Sequence, residues 1–145
     1  MQTFLIDINQ FFYIISPYII SLQKKMRVLV LGASTNEERY SNLAVKRLKK
    51  YGHEVIAVGN KKGEIEDIPI IVNPTADSVK PIDTISLYIG PQNQKQWEDF
   101  IISVNPKRII FNPGTENAEF ENKLSKLGIE VVEYCTLMLL QSGQF

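Results

Sequence analysis

The sequence predicts an α/β domain built on a doubly wound parallel sheet of about five strands, and three observations carry that expectation. Apolar, strand-like runs alternate with amphipathic helical segments from Arg27 onward. The runs are apolar at successive positions, so both faces of the sheet must be covered, as in parallel sheets layered between helices. Polar segments, four of the five with glycine, follow the carboxyl ends of the runs, where such sheets carry their loops.

The first run, "RVLVLG" (27–32), is β-branched and leucine-rich and ends in glycine. Residues 41–51 then place Leu43, Ala44, Leu48 and Tyr51 at helical spacing, with Lys46, Arg47, Lys49 and Lys50 opposite. Cations at the end of that helix and Gly52 after it are a C-terminal signature. "HEVIAV" (53–58) is the second strand, and 68–72 a weaker apolar piece. "DTISLYI" (83–89) is the third main strand, followed by a helix over about 93–104. "KRIIFN" (107–112) is the fourth, and 116–127 the next helix, with Thr115 as its expected N-cap and Glu116 in its first turn. "IEVVE" (129–133) is the fifth, and a short helix opens at Thr136. The pattern is that of a Rossmann-like, three-layer α/β/α domain over residues 26–145.

Residues 1–25 differ. "FFYIISPYIISL" (11–22) is apolar but short and broken by Pro17, and Asp7, Asn9 and Gln10 precede it. It is too short and polar to span a bilayer. Lys24 and Lys25 follow the apolar run, whereas a signal peptide carries its positive charge ahead of it. The segment is expected to be an extension before a natural start at Met26, packed as a helix on the domain or across a homodimer.

Composition narrows the function. The 16 Lys and Arg balance 16 Asp and Glu, giving no field to attract nucleic acid or an anionic membrane. One cysteine, Cys135, and one histidine, His53, allow no internal disulfide and no metal cluster. They also assemble no Ser-His-Asp or Cys-His constellation, so no catalytic residue is assigned. A reducing, cytoplasmic location fits. His53 opens its strand at the amino end, away from the loops, and is read as structural.

In doubly wound sheets a ligand sits beyond the carboxyl ends of the strands, where the strand order reverses. The segments there are "GASTNEERYSN" (32–42), "GNKKGE" (59–64), "GPQN" (90–93), "NPGTEN" (112–117) and "YCT" (134–136). In the first, Gly32 admits a close ligand, Ser34, Thr35 and Ser41 offer hydroxyls, and a helix N-terminus follows for an anion. It lacks the later glycines of the dinucleotide fingerprint. In the second, Asn60, Lys61 and Lys62 stand where an NAD site holds an acidic residue. Lysines there suit a phosphorylated ribose, the 3′-phosphate of coenzyme A (CoA) or the 2′-phosphate of NADP. Asn112 and Gly114 are the candidates in the fourth segment. Cys135, on the fifth, reads as a small buried hydrophobe or as a thiol near the sulfhydryl end of CoA.

"GASTNEERYSNLAVKRL", "GHEVIAVGNKKGEI", "LYIGPQNQ", "IIFNPGTEN" and "CTLMLLQSGQF", in that order, resemble the small stand-alone CoA-binding domain proteins of bacteria. Those share a Rossmann-like domain with the α subunit of succinyl-CoA synthetase. The resemblance runs from Met26 to Phe145. It implies CoA in the switch-point crevice, with Gly32, Ala33 and Ser34 near its phosphates. It also implies Asn36, Arg39, Tyr40 and Ser41 around the first loop, Gly59, Asn60 and Lys61 at the nucleotide end, and Gly90 and Pro91 on the third loop. Two other readings stand beside it: an NADP-dependent oxidoreductase using the same lysines, and a non-catalytic interaction protein with a vestigial pocket.

Overall fold

The computed structural model describes residues 24–145, and expectations for the preceding residues lie outside it. The elements in chain order are β1 (Arg27–Leu31), α1 (Tyr40–Lys50), β2 (Glu54–Val58), β3 (Glu64–Ile65), β4 (Ile68–Ile71), α2 (Ala76–Val79) and β5 (Thr84–Leu87). Then come α3 (Glu98–Val104), β6 (Arg108–Phe111), α4 (Ala118–Lys126), β7 (Glu130–Glu133) and α5 (Thr136–Ser142). They form one sheet in the order β3-β4-β2-β1-β5-β6-β7. All neighbours are parallel except β3 and β4.

The doubly wound expectation holds, with more strands than the sequence indicated. The weak apolar piece is β4, and it adds in parallel to β2. The two residues of β3 fold back on it, too short a run to show any period.

β1 shows why both faces are apolar. Leu29 and Leu31 point to one side, into a cluster with Val79, Ile101, Phe120 and Leu124 from α2, α3 and α4. Val28 and Val30 point to the other, against Val45 and Leu48 of α1 and Leu140 of α5. Alternate residues of one strand thus serve two cores, as the two-period of a strand requires. Among the described residues, no helix is long and apolar enough to cross a membrane.

Two helix starts differ from expectation. The segment over 93–104 begins as two 3-10 turns, Pro91–Asn93 and Lys95–Trp97, before α3. Helix α4 is capped by Asn117, whose side chain accepts from the Phe120 amide at 3.2 Å. Thr115 does not cap it, because its hydroxyl donates to the Asn112 carbonyl at 2.7 Å. Glu116 accepts from the Gly114 amide at 2.9 Å and stays in the loop.

The register sets up the site. Leu31 pairs with both Val58 and Leu87, Leu87 with Phe111, and Phe111 with Glu133. The strands therefore end in one row, and five loops emerge along one edge. After β1 the chain winds outward through β2 and β4, then returns to place β5 on the other side of β1. The loops after β1 and β5 diverge there, which opens a crevice.

Candidate functional site

The crevice is floored by the two loops that close on each other after β1 and β2. Gly32 has φ +99°, a left-handed conformation that side chains resist, and a Cβ there would meet the Tyr88 carbonyl at 3.1 Å. Its amide and that of Ala33 both donate to the Val58 carbonyl at 2.9 Å. Gly59 is tighter, since a Cβ would collide with the Ala33 carbonyl oxygen. Backbone meets backbone at both points, leaving room above them that side chains would fill.

The rest of the first loop is held by its own polar groups. Ser34 Oγ accepts from the Asn36 amide at 3.2 Å, and Asn36 Oδ1 from the Glu38 amide at 2.9 Å. Asn42, buried in α1, reaches back and donates to the Ser34 carbonyl at 2.9 Å. The chain then enters α1 at Arg39, with no side-chain cap and no acidic residue in the first turn. An uncapped N-terminus with no carboxylate in its first turn suits an external anion.

The walls form two connected lobes. One, of about 260 Å³, is lined by the first loop from Gly32 to Thr35, by Gly59, Asn60 and Lys61, and by Ile89 and Trp97. The other lies along the third loop, between Tyr88, Gly90, Gln92, Asn93 and Gln96. Gly32, Arg39, Asn60, Ile89 and Trp97 border both.

Its electrostatics are one-sided. Neither Arg39 nor Lys61 forms an ion pair with a carboxylate of the described residues. Two unpaired cations thus flank a polar cleft with no acidic residue in its lining. Tyr88 is pushed up to about 12 by burial, so its phenol is neutral near physiological pH.

Nine of the residues singled out from sequence meet here: Gly32, Ala33, Ser34, Thr35, Arg39, Gly59, Asn60, Lys61 and Gly90. The others stand elsewhere. Asn36 shapes the first loop, Ser41 is buried at the start of α1, and Pro91 opens a 3-10 turn. Asn112 is buried and fully engaged: it donates to Ser86 Oγ and the Leu87 carbonyl at 3.0 Å and accepts from the Thr136 amide at 2.8 Å. Gly114 sits in the exposed turn beside it, outside the crevice lining. Tyr40 and Cys135 line a separate groove between α1 and α5. Cys135 stands at the N-cap position of α5, with no side-chain capping bond.

Sequence reasoning missed Trp97 and Gln94. Trp97 is 9% exposed, closes both lobes and packs edge-on against Phe100 at 5.7 Å. Gln94 is wholly buried. Its amide donates to the carbonyls of Ile89 at 2.8 Å and Thr115 at 2.6 Å, and it accepts from Asn117 at 2.9 Å. It pins the third loop to the fourth and so fixes the second lobe.

A family described as "CoA binding domain" matches residues 26–141. A crystal structure of an uncharacterized protein is 47% identical, covering 85% of this chain and 100% of its own, with a TM-score of 0.77. A protein from Thermus thermophilus, cell-free ID.343, is 22% identical over 90% of this chain and 96% of its own, at 0.74. A hypothetical protein from Pyrococcus horikoshii OT3 is also 22% identical, over 98% of both chains, at 0.71. These last two share the fold. No curated protein matches the chain.

Proposed function

We propose, for a chain that belongs to the CoA-binding domain family, that the crevice between the β1 and β5 loops takes coenzyme A or an acyl-CoA. The observation that carries this reading is the pairing of a bare-backbone floor at Gly32 and Gly59 with two unpaired cations, Arg39 and Lys61. A pyrophosphate needs close backbone approach and positive charge, and both are present at one place.

The fit assigns roles to this chain's own groups. Gly32, Ala33 and Ser34 would face the pyrophosphate beside the N-terminus of α1. Lys61, exposed at the outer end, would meet the 3′-phosphate, with Asn60 beside it. Gly90 and the amides of Gln92, Asn93 and Gln96 would border the remaining chain of the ligand. CoA supplies a thiol that carries acyl groups; the protein supplies binding and orientation. Residues 26–145 carry every part of this site, with 1–25 as an extension before it.

Thermal denaturation with CoA, NADP and NAD tests the reading. A ligand bound only by the folded state raises the melting temperature by linkage. CoA is expected to raise it most and NAD least. A rise with NADP and none with CoA overturns the proposal in favour of a redox nucleotide.

A further inference from the structure

A second concavity lies between α1 and α5, sharing no lining residue with the crevice. Along α1 its wall is Tyr40, Leu43, Arg47 and Tyr51, a stripe at helical spacing that runs the whole length of the helix. The facing wall is Cys135 and α5, chiefly Leu137, Met138 and Gln141. The groove encloses about 290 Å³. Tyr40 is 73% exposed, Leu43 37% and Met138 52%, so three of the five exposed large apolar residues among those described gather here. A surface helix ordinarily turns such a stripe toward something.

The chain itself indicates what covers it. Met26 and Tyr51 both pack on the core cluster that includes Leu140, and the Met26 amide donates to His53 Nδ1 at 3.2 Å, two residues past Tyr51. At Met26 the chain is thus tied to the segment that follows Tyr51, the residue at one end of the groove lining. Upstream, Phe11–Leu22 is a twelve-residue stretch without a charge, joined to Met26 by Gln23, Lys24 and Lys25. Three residues reach at most about 10 Å, and twelve span about 18 Å as a helix or about 40 Å extended. The 11-residue helix α1 is about 16 Å long. Position, length and chemistry match.

We propose that Phe11–Leu22 docks in the α1/α5 groove of its own chain, burying the Tyr40–Leu43–Met138 surface. The lysines between would sit in water at the exit.

Cys135, the one cysteine of the chain, lines the groove and reports on its occupancy. Alkylation by iodoacetamide is to be timed in the full-length protein and in the double variant Ile15→Asp, Ile19→Asp. The expected result is alkylation about tenfold slower in the unsubstituted protein, at every protein concentration. The milder pair Ile15→Ser, Ile19→Ser gives the same readout if the aspartates prevent folding. Leu43→Lys, on the groove wall, is expected to free Cys135 equally, with no further gain on combination with the segment variants. Equal rates with and without the segment substitutions overturn the proposal, as does a Leu43→Lys protein that keeps Cys135 protected. Protection that disappears on dilution also overturns it, because the occupant is then a second copy.

Discussion

The two edges of the sheet treat charge in opposite ways. At the amino edge, Arg27 bonds Glu54 at 3.0 Å and the carbonyls of Val79 and Pro81, while its backbone amide donates to Asp83 at 2.8 Å. Lys107 pairs with Asp83 at 3.1 Å. Arg108 donates to Thr84 and lies 4.9 Å above the Phe145 ring, which in turn packs on His53. At the carboxyl edge, Arg39 and Lys61 have no carboxylate among the described residues, and two glycines keep the floor open. One edge is closed by its own ion pairs, and the other holds its charges in reserve. Substitutions at the amino edge should therefore change stability alone, and those of the crevice cations binding alone.

The largest effect is expected where the floor is tightest. Gly59→Ala forces the Ala33 carbonyl aside, at a cost of about 1–3 kcal/mol by overpacking, and fills the crevice as well. Denaturant unfolding and CoA titration should both register it; an unchanged protein would show that the two loops are not in contact. Asn112→Ala comes next, because it leaves the buried Thr136 amide and Ser86 hydroxyl short of partners. About 1–3 kcal/mol of stability is the expected loss. This is the exception that sharpens the contrast: a carboxyl-edge residue whose effect is structural. Asp83→Ala should cost about 1 kcal/mol and leave CoA affinity unchanged. An altered affinity would mean that the two edges are coupled.

The smallest effect is a pH dependence. Burial, with the Glu133 carboxylate beside it, pushes Glu121 from 4.5 up to about 7. The folded state thus binds a proton that the unfolded state releases, so this group stabilises below pH 4.5 and its contribution is lost as pH rises through about 7. His53 works in the opposite sense. Its pKa is lowered by burial first and by Arg108 second, so its contribution is present above 6.5 and lost as pH falls through the depressed value. Melting curves of Glu121→Gln should lose the decline between pH 5 and 7 that the unsubstituted protein shows. A decline that persists in the variant assigns it to another group.

The layered fold was legible because β1, β2 and β6 are apolar at alternate and intervening positions alike, which leaves few other arrangements. β3 was not legible, since Glu64–Ile65 is too short to carry a pattern. The cap of α4 was misplaced because Thr115 and Asn117 both suit an N-cap, and only the bond from Thr115 back to Asn112 decides between them. The glycine loops pointed to the crevice because close backbone approach requires that residue type. Gln94 and Trp97 gave no such signal: a glutamine in the first turn of an expected helix reads as solvated until two loops close over it. Cys135 follows β7 at the carboxyl edge, yet it lines the groove between α1 and α5 and not the crevice.

The central claim, that Arg39 and Lys61 are reserved for a phosphorylated ligand, is met most directly by calorimetric titration of CoA into the unsubstituted protein and the double variant Arg39→Ala, Lys61→Ala. Each charge-assisted bond to phosphate contributes about 1.5–3 kcal/mol, so the variant should bind at least about 100-fold more weakly. Its ligand-free melting temperature should be unchanged, since neither side chain pairs within the described fold. Undiminished CoA binding by the variant, or no binding by the unsubstituted protein, would contradict the account.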